Sequence, residues 1–233
     1  MSLPSVMRTS RVHRTRQVVE ETTAPRARVT LETVLVTPRL AEGPVRPPDH
    51  AAENRALHRV ARAMSESPRA ALDSLLLEAL TLCRPDGNAT TGVSLLEPDF
   101  ATEDVLFRWT AMAGRLAHHV GTTTPRSFSP CGVCLEHRGP VLFDRPDLYF
   151  TYFLATQVPF IEGLVLPFRV EGAQAGTIWI VSHDDARGFD AEDVRIMTSL
   201  ADFTGAVYAT IEAREATEHT TRERAQRGFS FRD

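Results

Sequence analysis

The chain has 233 residues, 42% hydrophobic and 24% charged, with a formal net charge of -4. That length suggests one domain plus extensions, or at most two small domains, and the mild acidity argues against nucleic acid or an anionic membrane as the main partner. All 26 basic residues are Arg, which excludes Schiff-base lysine catalysis and hydrolysis by a lysine-bearing phosphate loop.

Three cysteines, Cys83, Cys131 and Cys134, are too few for a disulfide scaffold. No apolar run is long enough for a membrane span or forms a secretory leader, so the expectation is a soluble, cytoplasmic protein. Residues 1–50 carry eight Arg against five acids, with six prolines. This composition predicts a flexible extension, or a basic arm that docks on a partner and orders around Val29–Val36. Pro44 to Pro48 mark its boundary.

Two helical patterns follow. The first, about 51–64, places Leu57, Val60, Ala61 and Met64 on one face. The second opens at Ser67-Pro68, an N-cap followed by a residue suited to the first helical position. Its stripe is Leu72, Leu75, Leu76, Ala79 and Leu80, and Pro85 and Gly87 end it. Strands are predicted at Ala89–Glu97, at Val105–Met112 with Val105, Phe107, Trp109 and Ala111 on one face, and at Val141–Asp144. Ile161–Val170 and Ala173–His183 flank Glu171-Gly172 as a hairpin. In its second strand Thr177, Trp179, Val181 and His183 share a face opposite Ile178 and Ile180.

Between the second and third strands, Ser129-Pro130 opens a short helix that Gly139 ends. Asp190, with Asp193 three residues on, caps a long last helix with a stripe from Val194 through Leu200 and Val207 to Ile211. From Arg214 to the end the sequence is a polar tail carrying Phe229 and Phe231. Antiparallel strands with helices at both ends give an α+β fold.

Phe107-Arg108-Trp109, the run Thr123 to Gly132, Leu166 to Val170, Gly176 to Asp185 and Arg187 to Leu200 together resemble the GAF domains of bacterial sensor histidine kinases and related signalling proteins. The resemblance spans about residues 53–213, within a sensory domain placed at 51–213. It implies a central antiparallel sheet with the terminal helices on one face and a loop-covered ligand pocket on the other. GAF domains bind cyclic nucleotides, haem, bilins, small metabolites or nothing, so the resemblance brings no ligand, and the sequence requires no cofactor. The residues after Arg214 hold no kinase region. The expectation is a non-enzymatic two-component or similar signalling module, a homodimer through its first and last helices, that binds a small ligand and reports it to a histidine kinase or other output protein.

The segment from Ser129 to His137 leaves several readings open. Cys131 lies in a first helical turn, where free N–H groups and the helix dipole lower a thiol's pKa. Cys134 and His137 follow at three and six residues, near one face. The thiols are then packed structural residues, a redox pair, or, with His137 and His118 or His119, a metal or haem site; the resemblance adds covalent bilin attachment. The segment also resembles free methionine sulfoxide reductase around Cys131-Gly132. That family places another cysteine in a loop that here, from Arg145 to Pro159, has none. A ligand-free adaptor that works through the N-terminal arm is the third possibility. If there is a pocket, the candidate lining residues are Trp109, Phe128, Cys131, Cys134, Tyr149, Tyr152, Phe153, Trp179 and His183, because aromatic walls suit a planar or apolar ligand.

Overall fold

The computed structural model of the chain describes residues 29–99 and 104–229. Most of the basic arm and Phe231 lie outside them. Two capped helices, α1 (Leu31–Val34) aside, precede the sheet: α2 (His50–Glu66) and α3 (Pro68–Cys83). The Asp49 carboxylate accepts Ala52 N–H at 2.8 Å and the Ser67 hydroxyl accepts Ala70 N–H at 3.0 Å, so each helix starts on a side-chain cap.

Strands β1 (Ala89–Pro98), β2 (Val105–Gly114), β3 (Thr123–Pro125), β4 (Val141–Asp144), β5 (Glu162–Val170) and β6 (Ala173–Ser182) form one antiparallel sheet in the order β3-β2-β1-β6-β5-β4. Helix α4 (Pro130–His137) lies between β3 and β4, and α5 (Ala191–Phe229) follows β6. β5 and β6 are joined by Glu171 and Gly172, both at positive φ, the backbone a tight hairpin demands.

The two sheet faces bury separate cores. On one, Ile178, Ile180, Leu164, Leu166 and Phe168 pack against Leu72, Leu75, Leu76 and Ala79 of α3 and Met197, Leu200 and Val207 of α5. On the other, Phe107, Trp109, Val165, Trp179 and Val181 pack against α4 and the segment that links β4 to β5. The alternation along β6 gives this division directly.

Four details differ from the sequence reading. Ala111 leaves the face of Phe107 and Trp109 and joins the helical core. The cause is a bulge, because Trp109 opposes Ser94 while Ala111 opposes Val93, which leaves Thr110 as the extra residue. On α2 the buried line is Ala56 and Val60, with Leu57 and Ala61 exposed; α3 covers a face rotated by one residue from the apolar count. Leu200 and Val207 are buried against their own sheet, so that stripe is not free to form a dimer seam. The end of the expected extension is also docked. Val34 is buried, Val36 N–H donates to Leu142 O at 2.8 Å, and Leu35 bridges Phe143 at the exposed edge of β4. Covering an edge strand this way removes its free pairing groups.

α5 begins on a reciprocal cap. Asp190 Oδ1 accepts Asp193 N–H, and Asp193 Oδ2 accepts Asp190 N–H, both at 3.0 Å. Gly205 lets the helix approach β5 closely, since a Cβ there would lie 2.2 Å from the Arg169 carbonyl oxygen. The side chains from Glu212 to Glu218 are exposed, and the helix continues to Phe229. No helix among the described residues is long and apolar enough to cross a membrane.

Candidate functional site

The non-helical face of the sheet carries a small cavity under residues 146–160. Trp109 of β2 and Trp179 of β6 form its floor, with ring centres 5.6 Å apart. Gly92 permits this, because a Cβ there would meet the Trp179 ring at 2.5 Å. The Trp179 indole N–H donates to Ser94 Oγ at 2.9 Å and fixes the ring. Tyr152 and Phe153 come down from a run of 3₁₀ turns over Thr151–Thr156. Phe153 stacks on Phe160 with centres 4.3 Å apart and on Trp109 at 6.4 Å.

The linking segment is held at both ends. Arg145 N–H donates to Ile161 O at 2.8 Å. Arg145 and Gln157 sit at φ 44° and 56° on either side of the turns, a left-handed conformation uncommon for side-chain-bearing residues. His183 pins the far end. Its Nδ1–H donates to Pro159 O at 2.8 Å, so Nε2 accepts from the Thr90 hydroxyl at 2.8 Å. Burial lowers the His183 pKa, assisted by Arg115 and Arg84 and opposed by the Pro159 bond and Asp184.

Of the expected lining residues, Trp109, Cys131, Tyr152, Phe153 and Trp179 come together around the cavity. Phe128 and Tyr149 do not line it; their rings meet each other in a tilted contact, with centres 5.4 Å apart. Cys134 lies behind the wall, its thiol donating to Gly139 O at 3.4 Å and Val165 O at 3.5 Å. His183 is a clasp beside the cavity. The lining residues that sequence reasoning missed include Thr124, Phe143, Phe160, Val165 and Val181. Strand alternation offered a signal for Val165 and Val181, whereas Thr124 stands in a three-residue edge strand too short to show a period.

The first-turn argument for a reactive Cys131 is overturned by burial. The Ser129 hydroxyl already accepts Gly132 N–H at 3.1 Å, and the Cys131 thiol points into the sheet toward Ser94 Oγ at 3.6 Å. Burial pushes both the Cys131 and the Cys134 thiol pKa up, and Cys83 likewise. His137 is exposed and so does not join the two buried thiols. No cluster of three metal-ligating side chains occurs among the described residues.

The space left for the centres of water-sized molecules is about 30 Å³, room for about two waters. Among the described residues, no Asp, Glu, Arg or His lines it. The Thr124 and Tyr152 hydroxyls are buried without a hydrogen-bond partner among the protein groups. The cavity is thus apolar and aromatic, with two unpaired hydroxyl groups in its wall.

The sequence profile of the GAF domain family matches residues 65–207. Similar solved structures include the far-red absorbing dark state of JSC1_58120g3 with bound biliverdin IXa, at 14% identity over 69% of this chain and 99% of that chain, with a TM-score of 0.52. The GAF domain of a phosphoenolpyruvate-protein phosphotransferase from Coxiella burnetii matches at 18% identity over 71% and 98% of the two chains, with a TM-score of 0.52. The photosensory core module of a Stigmatella aurantiaca phytochrome matches at 14% identity and a TM-score of 0.55, over 78% of this chain and 42% of that one. At these identities the likeness is one of fold. No curated protein matches the chain significantly.

Proposed function

The chain belongs to the GAF domain family, and from that premise we propose that it is a non-enzymatic sensory domain whose ligand enters the aromatic cavity under residues 146–160. The observation that carries this reading is the cavity wall: stacked aromatic rings, no charged side chain, and two buried hydroxyl groups left unpaired. Such a wall suits small-molecule recognition. The output route is α5, whose first half packs on the sheet and whose later turns leave the domain. A shift of β6 beneath a new occupant is passed through the sheet to α5 and so to a partner protein.

The homodimer belongs to the same proposal. Leu57 of α2, Leu77 of α3 and Phe203 of α5 are exposed apolar groups on the helices, and they replace Leu200 and Val207 as the groups a second copy would cover. Native mass spectrometry of the full chain, purified without reductant, tests both parts. The reading expects a dimer that carries a small non-covalent mass. A bare monomer at every concentration contradicts it.

One observation favours a second reading, a ligand-free adaptor: the space left between the cavity's own side chains is only about 30 Å³. An adaptor would dock its partner through the N-terminal arm and be indifferent to changes in the cavity wall. Thiol-redox chemistry has no such support, since the cavity thiol is buried with its pKa pushed up.

A further inference from the structure

We propose that Tyr152 is a tethered occupant of the cavity, and that its phenol ring holds the place of a neutral, hydroxyl-bearing aromatic ligand. This rests on the ligand-site reading above and names the ligand's class. Tyr152 is the one tyrosine in the cavity wall. A buried hydroxyl is normally hydrogen-bonded, but the Tyr152 hydroxyl is not, and neither is that of Thr124, which is 4% exposed in the same wall. Thr124 acts on the Tyr152 phenol as a hydrogen-bonding neighbour, opposing the rise that burial imposes on its pKa, yet the pair falls short of full hydrogen-bond geometry and neither hydroxyl has another partner among the described residues. A tethered ring held slightly out of register explains both orphans. A free ligand, unconstrained by the backbone of Thr151–Thr156, can turn its hydroxyl onto Thr124.

The surroundings set the rest of the class. With no charged side chain in the wall, a carboxylate or phosphate would be buried without a counterion, at a large cost. The remaining space fits about two waters and no ring, so an aromatic ligand must take the place of the Tyr152 ring. That ring packs on Phe153 at 4.5 Å and on Phe128 at 6.2 Å, and a flat ring suits such neighbours. Residues 146–156 consist of short 3₁₀ turns in place of sheet, so Tyr152 can move without breaking a strand pairing.

The test is replacement of the tether by the free ring. In full-length Tyr152→Ala, phenol supplies the atoms removed beyond Cβ, and thermal shift with calorimetry compares phenol, benzene and benzoate. Phenol should bind saturably, about threefold to tenfold tighter than benzene, the ratio one added hydrogen bond gives, and benzoate should not bind. Thr124→Val in the same background should erase the difference between phenol and benzene. If benzene equals phenol, or benzoate binds as well as phenol, the ligand class is wrong while the site stands. If none of the three binds to the folded variant, the ligand-site reading itself falls. Tyr152→Phe gives an independent check that does not open a cavity. Its melting temperature should equal or exceed that of the wild type, because the hydroxyl it loses is unpaired. A fall of more than about 4 °C, the size of one lost hydrogen bond or more in a chain of this length, would overturn the proposal.

Discussion

Asp193→Ala tests how the N-terminal arm is tied to α5. The Asp193 carboxylate is fully buried. It accepts Arg46 Nη2–H at 2.6 Å, Arg187 Nη1–H at 2.6 Å, Arg187 Nη2–H at 3.0 Å and Asp190 N–H at 3.0 Å. Arg46 belongs to the stretch before α2, and also donates to Leu82 O at 2.8 Å, so one carboxylate joins the arm, the end of α3 and the start of α5. Removing one partner of a buried ion pair costs about 3–5 kcal/mol. Arg46 and Arg187 remain 33% and 34% exposed, so water partly resolvates them and the lower end applies, about 2–3 kcal/mol. In a chain of this length that is a drop in melting temperature of about 4–12 °C. Urea unfolding followed by tryptophan fluorescence measures it, since both tryptophans lie in the second core. Asp193→Asn keeps the shape and one acceptor and should lose less. A loss below about 1 kcal/mol for Asp193→Ala would refute the reasoning, because the arm would then be held by something other than this carboxylate.

Three further outcomes follow from the geometry. Gly205→Ala should destabilise by about 1–3 kcal/mol by overpacking against the Arg169 carbonyl, although helix propensity alone predicts a gain of about 1 kcal/mol; thermal unfolding gives the sign. Because burial lowers the His183 pKa below its ordinary 6.5, the unfolded chain binds the proton more tightly than the folded one. Its contribution to stability is therefore full above pH 6.5 and is lost as the pH falls below 6.5 through the folded pKa. His183→Asn should flatten this part of the profile in paired urea titrations between pH 7.5 and 5.0, and an unchanged slope would remove His183 from the account. The three thiols, all buried, should resist a thiol reagent in the native protein and react fully in denaturant. Fast native labelling of Cys131 would return thiol chemistry to consideration.

Much of the fold was legible from side-chain periodicity. The caps at Ser67 and Asp190, the hairpin at Glu171-Gly172 and the two faces of β6 follow from local pattern, because each is fixed within a few residues. Effects that depend on a distant partner were not legible. The bulge that turns Ala111 over arises from pairing with Val93 and Ser94, the rotated face of α2 from its contact with α3, and the docking of Val34 to Val36 from a free edge at β4. The site divides the same way. Trp109, Tyr152, Phe153 and Trp179 announce themselves as large aromatics, whereas Thr124 and Phe160 gain meaning only from what the fold sets opposite them. The cysteine argument failed because Cys131 faces Ser94 beneath the sheet, where the desolvation of a thiolate outweighs what a helix start contributes.

The central claim is that occupancy of the cavity is passed to α5. Hydrogen exchange on full-length wild type and Tyr152→Ala, each with and without phenol, tests it most directly. The account predicts that removing the tethered ring speeds exchange both in residues 146–160 and in the first half of α5, and that phenol reverses both changes in the variant. Changes confined to residues 146–160, with α5 indifferent to the ring and to phenol, would contradict it.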